Sequence, residues 1–154
     1  MNFYPVPPFA IEALAKGNIQ KANDYLGFEY ALKGTVVHGN HLGRSLGFPT
    51  ANLELTKDSL PLYLPHGVYA ARVEVNHNQL KAMANIGIRP TVDGKKLTIE
   101  THIFDFEGDL YGMVIVLFFI ERIRDERKFI DLQELVHQLE HDKNEALRLI
   151  DRLQ

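Results

Sequence analysis

The middle of the chain alternates between hydrophobic and polar positions in the way that half-buried β-strands do. Five segments rich in β-branched and aromatic residues are separated by short polar turns, and they cover residues 32–38, 68–75, 80–88, 97–104 and 112–120. A run of short strands leaves exposed edges unless the sheet closes on itself. The pattern therefore predicts a mainly β protein, a barrel of about six antiparallel strands.

Two turns between these strands have specific signals. Asp93-Gly94 is the strongest hairpin signal in the chain, because both residues accept the backbone angles of a two-residue turn. Asn76-His77-Asn78 marks a second turn. We expect each turn to join two neighbouring antiparallel strands.

Helical spacing appears only at the two ends of the chain. Residues 9–16 fit a short helix ended by Gly17, and Asn18 is placed to cap a second one that stops at Gly27. From Asp131 onward, apolar residues recur at steps of three and four, which predicts one C-terminal helix packed against the barrel. We expect residues 1–28 to form an N-terminal linker with short helices, and residues 29–154 to form the main domain.

Composition narrows the classes of function. The 154 residues are 45% hydrophobic, enough for one globular domain with a real core. The net charge of −3 provides no general attraction for nucleic acid or an anionic membrane. There is no cysteine, hence no disulfide framework, and no apolar run reaches membrane-spanning length. We expect a cytoplasmic protein that binds anions only through local geometry.

The stretch from Gly39 to Leu53 has no hydrophobic period and is suited to build a site. Its glycines let backbone N–H groups approach an anion, and Arg44 adds a fixed charge. Pro49 favours an extended continuation, in which the Thr50 hydroxyl and the Asn52 amide oxygen face the same way and can share Mg²⁺. The spacing is not that of a Walker A loop. A plain surface turn with a proline stop is the alternative.

The run 43–53, Gly-Arg-Ser-Leu-Gly-Phe-Pro-Thr-Ala-Asn-Leu, resembles the signature of the flavokinases, the riboflavin kinase domains found alone or in bacterial bifunctional FAD synthetases. Further motifs follow in the family's order at residues 64–70, 84–91, 99–106, 109–112 and 124–129. The resemblance implies a Greek-key barrel with a C-terminal helix. It also implies that ATP and Mg²⁺ are used to convert riboflavin to FMN, with ADP as the second product.

The resemblance assigns the catalytic role to Glu100. In the strand 97–104 the odd positions are mostly apolar, which leaves Thr98, Glu100 and His102 on the other face. Transfer of a phosphoryl group to an alcohol needs an acceptor for the hydroxyl proton, and a carboxylate can serve. The glutamate of the family's Glu-Thr-His-Ile motif has this role. From the residues alone, an exposed charge on a strand is the alternative. We expect His102 to be structural.

The family also places the two substrates. On the nucleotide side the resemblance implies Gly39, Arg44, Thr50, Asn52, Ile103, Asp105 and Tyr111, with Thr50 and Asn52 also holding the metal ion. On the flavin side it implies Arg124, Arg127 and Glu134, in a charged loop over residues 122–130 and the start of the last helix. A solvated connector is the alternative for this loop.

Two features bear on what else the chain does. FAD synthetases carry an FMN adenylyltransferase module with a His-x-x-His motif, whereas here His38 and His41 have that spacing beside the glycine-rich stretch. We therefore expect kinase activity without adenylyl transfer from this chain, which would be linked to such a module in a full-length protein. A flavin- or nucleotide-binding module without catalysis is the alternative function. A nucleic-acid binder is disfavoured by the charge.

Overall fold

A computed structural model of the chain describes residues 6–38 and 46–153 and shows a closed barrel of six antiparallel strands. The strands are β1 (Ala31–Val37), β2 (Ala51–Leu55), β3 (Gly67–Val75), β4 (Asn78–Thr91), β5 (Gly94–Ile103) and β6 (Val114–Arg124). The helices are α1 (Pro8–Ala15), α2 (Ile19–Leu26) and α3 (Leu132–Arg152). The mainly β, closed-barrel prediction is confirmed.

The strands follow the order β1-β2-β5-β4-β3-β6, and β6 pairs with β1 to close the ring. β3, β4 and β5 are joined by hairpins, and β6 then returns to lie beside β3. Three hairpin-linked strands with a fourth beside the first form a Greek key. This order also brings β2 and β5, which are distant in sequence, into direct contact.

The β4–β5 hairpin is longer than the sequence pattern predicted. Its pairing continues past Ile88 as far as Thr91 opposite Gly94, and it includes Pro90 opposite Lys95. These residues extend beyond the packed barrel, which is why Leu97 is 46% exposed although it belongs to the apolar set of its strand. Hydrophobic patterning detects only the half of the hairpin that is buried.

The barrel interior holds the main core, and the N-terminal helices pack onto that same core. Leu14 and Ala22 are fully buried there. Asn18 caps α2, since its side chain accepts a hydrogen bond from the Lys21 N–H, and Gly27 ends the helix in the left-handed conformation. These two signals predicted α2, and the helical spacing before Gly17 predicted α1. The predicted boundary between residues 28 and 29 stays a prediction.

The outer face of the barrel is covered by α3. Ala146, Leu149 and Ile150 of the helix pack against Met83 and Phe104 of the barrel in a second hydrophobic cluster. Asp131 caps the helix by accepting a hydrogen bond of 2.8 Å from the Glu134 N–H. The C-terminal helix was predicted with this cap.

The charged segment after β6 begins later than predicted. The loop was placed over residues 122–130, but β6 continues to Arg124, which pairs with Val68 of β3. The β3–β6 register shifts between Val68 and Tyr69, so β6 carries an irregularity that lengthens it. We call residues 125–131, between β6 and α3, the connector.

Candidate active site

Three polar residues form a row across neighbouring strands. Glu100 of β5 lies directly opposite Asn52 of β2 on one side and directly opposite Asn85 of β4 on the other. Residues opposite each other in a sheet project from the same face, and adjacent strands are about 4.8 Å apart. A carboxylate therefore stands between two amides. The Asn85 Oδ1 atom is buried with no hydrogen-bond partner in the described part of the chain.

The same row continues around the barrel. Asn85 lies opposite Val68 of β3, and Val68 lies opposite Arg124 at the end of β6. Strand register thus connects the predicted metal ligand Asn52, the predicted base Glu100 and the predicted flavin contact Arg124. These residues come from three distant parts of the sequence.

Glu100 is largely buried, with 17% of its side chain exposed. Burial raises the pKa of its carboxyl; the Arg89 guanidinium, with Nε 3.8 Å from Oε1, partly offsets this, and the nearby Glu126 carboxylate adds to the rise. Arg89 is held more closely by Glu126, whose Oε1 accepts a hydrogen bond from Nη1. The base candidate thus keeps a raised proton affinity although a cation is near.

A cavity of about 370 Å³ opens beside the row. Ala51 and Thr101 line it, and they are the immediate chain neighbours of Asn52 and Glu100. Asn52 and Glu100 themselves are outside its lining. The predicted residues Thr50, Ile103 and Tyr111 lie in its wall. Because successive side chains on a strand project from opposite faces, the polar row lies on the other side of the β2–β5 pair from Ala51 and Thr101.

Asp105 is a predicted nucleotide residue that the structure places outside the cavity wall. Asp105 is exposed, has a left-handed backbone with φ of 53°, and is not part of the cavity lining. Gly39 and Arg44 fall outside the described residues, so their placement stays a prediction.

His102 fixes the segment that precedes Thr50. Its Nδ1 lies 2.7 Å from the Pro49 carbonyl oxygen, and the ring makes edge contacts with Phe48 and Phe104. A carbonyl oxygen only accepts, so Nδ1 carries the proton. Burial lowers the pKa of His102. The residue is 7% exposed and outside the cavity lining, and its structural role stays a prediction.

Arg124 is anchored to α3. Its Nε and Nη2 atoms donate to the two carboxylate oxygens of the fully buried Asp142, at 2.8 and 2.7 Å. Gln138 donates to Asp142 as well, at 2.9 Å, and accepts from Arg127 at 3.1 Å. Arg127 also pairs with Glu134. The three residues predicted for the flavin side, Arg124, Arg127 and Glu134, therefore belong to one hydrogen-bonded network.

The described ranges, 6–38 and 46–153, contain no group of three histidine, aspartate or glutamate side chains placed to hold a metal ion together. No helix in them is both long and apolar enough to cross a membrane.

Comparison with known proteins identifies the family. The riboflavin kinase family model, named Flavokinase, matches residues 26–150. The bifunctional riboflavin kinase/FMN adenylyltransferase of Bacillus subtilis is 42% identical over 144 residues, and that of Escherichia coli K12 is 42% identical over 133 residues. The chain belongs to the riboflavin kinase family. The resemblance stated from its motifs is confirmed.

Solved structures similar to this chain include a riboflavin kinase. The riboflavin kinase of Trypanosoma brucei is 28% identical with a TM-score of 0.56, and the match covers 79% of each chain. A Streptococcus pneumoniae protein described as a macrolide-efflux protein is 39% identical with a TM-score of 0.79, over 90% of this chain and 45% of that one. The B. subtilis and E. coli relatives are likewise covered over only 45% and 42% of their lengths, against 92% and 86% of this chain.

Within this riboflavin kinase fold, sequence reasoning missed part of the cavity wall. His38 lines the cavity and stacks on Tyr111, with ring centroids 3.8 Å apart. Asp109 lines it as well, and its Oδ1 accepts from the Tyr111 N–H at 2.9 Å. The position of His38 between a strand and the glycine-rich stretch was a usable signal. Arg89 and Glu126 were also missed as neighbours of Glu100, although both lie inside the family's motifs.

Proposed function

We propose that this chain is an ATP:riboflavin 5′-phosphotransferase that makes FMN and ADP. The observation that carries the proposal is the pairing of Glu100 with Asn52 across β2 and β5, beside a cavity lined by Thr50. In this pairing a proton acceptor lies beside an amide oxygen. Membership in the riboflavin kinase family supplies the reaction class.

Glu100 is the proposed base. The riboflavin 5′-hydroxyl oxygen attacks the γ-phosphorus of ATP, the bond from that phosphorus to the β–γ bridging oxygen breaks, and the hydroxyl proton passes to the Glu100 carboxylate. A base works best when its pKa approaches the working pH. The raised pKa of Glu100, caused chiefly by burial, moves it in that direction.

Thr50 and Asn52 are the proposed holders of Mg²⁺. Both are partly exposed, both offer a neutral oxygen, and the Glu100 carboxylate is the direct neighbour of Asn52. Such hard oxygen ligands suit Mg²⁺, which keeps several waters and binds nucleotide phosphates. When bound, the ion would neutralise charge on the phosphates of ATP. Gly39 and Arg44 are proposed to bind those phosphates.

The nucleotide is proposed to enter the cavity. Ile103 and Tyr111 offer apolar and aromatic surface in its wall, and His38 widens that surface through its stack on Tyr111. Asp105 is proposed as a hydrogen-bond acceptor for the nucleotide from the turn after β5. Asp105 itself is outside the cavity lining, whereas the next residue, Phe106, belongs to it.

Riboflavin is proposed to bind on the side of the connector. Arg127 lies over the Phe129 ring, 4.6 Å from its centroid, and Arg124 lies at the end of the row that contains Glu100. Guanidinium groups suit the carbonyl and imide edges of a flavin. Glu134 fixes Arg127 through their ion pair. This arrangement would bring the flavin's ribityl chain toward Glu100 along the row.

The test is formation of FMN from riboflavin, ATP and Mg²⁺ by the purified chain, followed by chromatography. The proposal predicts FMN with the wild-type chain and a strong loss with Glu100→Gln. Flavin binding without FMN would instead favour a non-catalytic binding module. A second reaction with FMN and ATP should give no FAD, since adenylyl transfer is proposed to belong to a linked module, as the names of the bifunctional relatives suggest. The cytoplasmic location stays a prediction.

A further inference from the structure

Arg89 lies between two carboxylates of different elements. Its Nη1 donates to Glu126 Oε1 of the connector, whereas its Nε is 3.8 Å from Glu100 Oε1 of β5. The side chains of Arg89, Glu126 and Glu100 are 37%, 26% and 17% exposed, so all three are partly withdrawn from water. Charges in such surroundings attract more strongly than on an open surface. The ability of Glu100 to accept a proton therefore depends on which of the two carboxylates binds Arg89.

A glycine makes the pairing with Glu126 possible. A Cβ atom added to Gly87 would lie 2.6 Å from Glu126 Cδ and closer still to its Oε1. No real Cβ tolerates such contacts, so any other residue at this position of β4 would displace the Glu126 carboxylate. Gly87 has no left-handed backbone angle to explain a glycine there. The space that it leaves is filled by the carboxylate that binds Arg89.

We propose that Glu126 is a positioning residue for phosphoryl transfer, which holds the Arg89 guanidinium off the Glu100 carboxylate. The inference rests on the proposed kinase function. A guanidinium paired with both oxygens of a carboxylate occupies the lone pairs that a base needs. With Arg89 bound to Glu126, the Glu100 oxygens stay available to the substrate hydroxyl.

The same contact joins the base to the flavin side. Glu126 lies between Arg124 and Arg127 in the chain, and the network through Gln138 and Asp142 fixes those arginines to α3. A displacement of the connector would carry Glu126 away from Arg89 and release the guanidinium toward Glu100. The position of the connector therefore determines whether the Glu100 carboxylate is free to accept a proton.

The decisive variant is Glu126→Gln, which keeps the shape but removes the charge that competes for Arg89. We expect kcat to fall about tenfold or more, because general bases contribute about 10²-fold to 10⁴-fold and most of the Glu100 population would be paired. The KM for riboflavin and its Kd from flavin fluorescence should stay within about twofold, since no substrate contact changes. Gly87→Ala should reproduce this pattern by expelling the carboxylate. The matched control is Glu12→Gln on α1, which removes a 64% exposed carboxylate from an ion pair with Lys16 and should leave kcat unchanged.

A second-site variant separates this role from general damage. In Glu126→Gln/Arg89→Gln the released cation is gone, so kcat should recover to well above that of Glu126→Gln alone. Without any substrate, the NMR signal of Arg89 Nε–Hε should shift in Glu126→Gln, and adding Glu100→Gln should abolish that shift.

The failures can be told apart. A wild-type chain that makes no FMN overturns the kinase assignment and with it the catalytic role of Glu126. An active wild type whose Glu126→Gln variant keeps its kcat overturns only the role of Glu126. The same holds if the double variant shows no recovery, or if the Arg89 signal is indifferent to Glu100.

Discussion

His102 and Pro49 are joined by a hydrogen bond in which Nδ1 donates to the carbonyl oxygen at 2.7 Å. The bond ties β5, two residues after Glu100, to the segment that leads into Thr50 and β2. Strand pairing sets the distance from Glu100 to Asn52, and the hydrogen bond of the buried His102 fixes in addition the backbone just before Thr50. We therefore expect His102 to support the site structurally and to take no part in the chemistry.

The first prediction concerns stability and pH. Burial lowers the pKa of His102 from its ordinary value of 6.5, so the unfolded chain takes up a proton on this residue more readily than the folded one. Stability from this residue is complete above about pH 6.5 and is lost as the pH falls toward the lowered folded pKa. In His102→Gln, the free energy of unfolding should change less between about pH 7.5 and about pH 5.5. Urea unfolding measures this, with exposed His77→Asn as the control. An unchanged pH dependence would contradict it.

The second prediction concerns Glu100. Glu100→Gln should reduce kcat by about 10²-fold to 10³-fold, because the substrate hydroxyl loses its proton acceptor. The melting temperature should rise at neutral pH. Because the folded pKa is raised, the ionised carboxylate is disfavoured by the folded state, and the amide removes that cost. A near wild-type turnover would refute the base assignment.

The third prediction concerns the metal. Asn52→Ala should raise the Mg²⁺ concentration that gives half-maximal FMN formation by about tenfold, because one proposed oxygen ligand is lost. Titration of Mg²⁺ at saturating ATP and riboflavin measures this. Asn78→Ala, an exposed asparagine at the start of β4, is the control. Identical Mg²⁺ curves for wild type and Asn52→Ala would remove Asn52 from the site.

The fourth prediction concerns the buried ion pair between Arg124 and Asp142. Asp142→Asn should lower the free energy of unfolding by about 3 kcal/mol, because it leaves the Arg124 guanidinium without its charge partner. Asp151→Asn removes a 60% exposed partner of Lys81 and should cost less than about 1 kcal/mol. Denaturant unfolding compares the two. Equal effects would show that the Arg124–Asp142 pair has no special weight.

The fifth prediction uses two glycines with nearly the same backbone. Gly67 has φ of 151° and Gly94 has φ of 144°, but a Cβ on Gly67 would lie 2.6 Å from the Arg124 carbonyl oxygen, whereas Gly94 has open space. Both alanine variants bear the backbone strain, and Gly67→Ala should cost about 2 kcal/mol more in unfolding free energy because of the clash. Gly67→Ala should also raise the KM for riboflavin by displacing Arg124. Similar losses in both variants would argue against the clash.

The barrel could be predicted from the sequence because each strand shows its own alternation of apolar and polar residues. Ile99, Thr101 and Ile103 alternate with polar neighbours, and their burial in the interior follows. The turn at Asn76 and His77 was equally readable, and both residues have positive φ as such a turn requires. At the tip of the β4–β5 hairpin the turn was detected one residue late: Thr91 pairs with Gly94, so the turn residues are Val92 and Asp93. The exposed strand residues beside this turn were not predicted, because their pairing depends on register rather than on hydrophobicity.

The site was predicted only in part for a related reason. Motif resemblance named Glu100 and Asn52, and the barrel places them face to face. Nothing in either motif shows that Arg89 and Glu126 meet beside Glu100, because that meeting depends on how the connector returns over β4. Such contacts between distant segments are set by the closed fold and not by local patterns.

The strands of the barrel differ in how many residue pairs join them to their neighbours. β2 and β5 share only two aligned residue pairs, whereas β4 and β5 share ten, and one of those two pairs is Asn52 with Glu100. Local opening of the barrel should begin between β2 and β5, because few backbone hydrogen bonds hold these two strands together. A ligand that contacts both β2 and β5 would oppose their separation. The same few residues would then govern both substrate binding and the closure of the barrel.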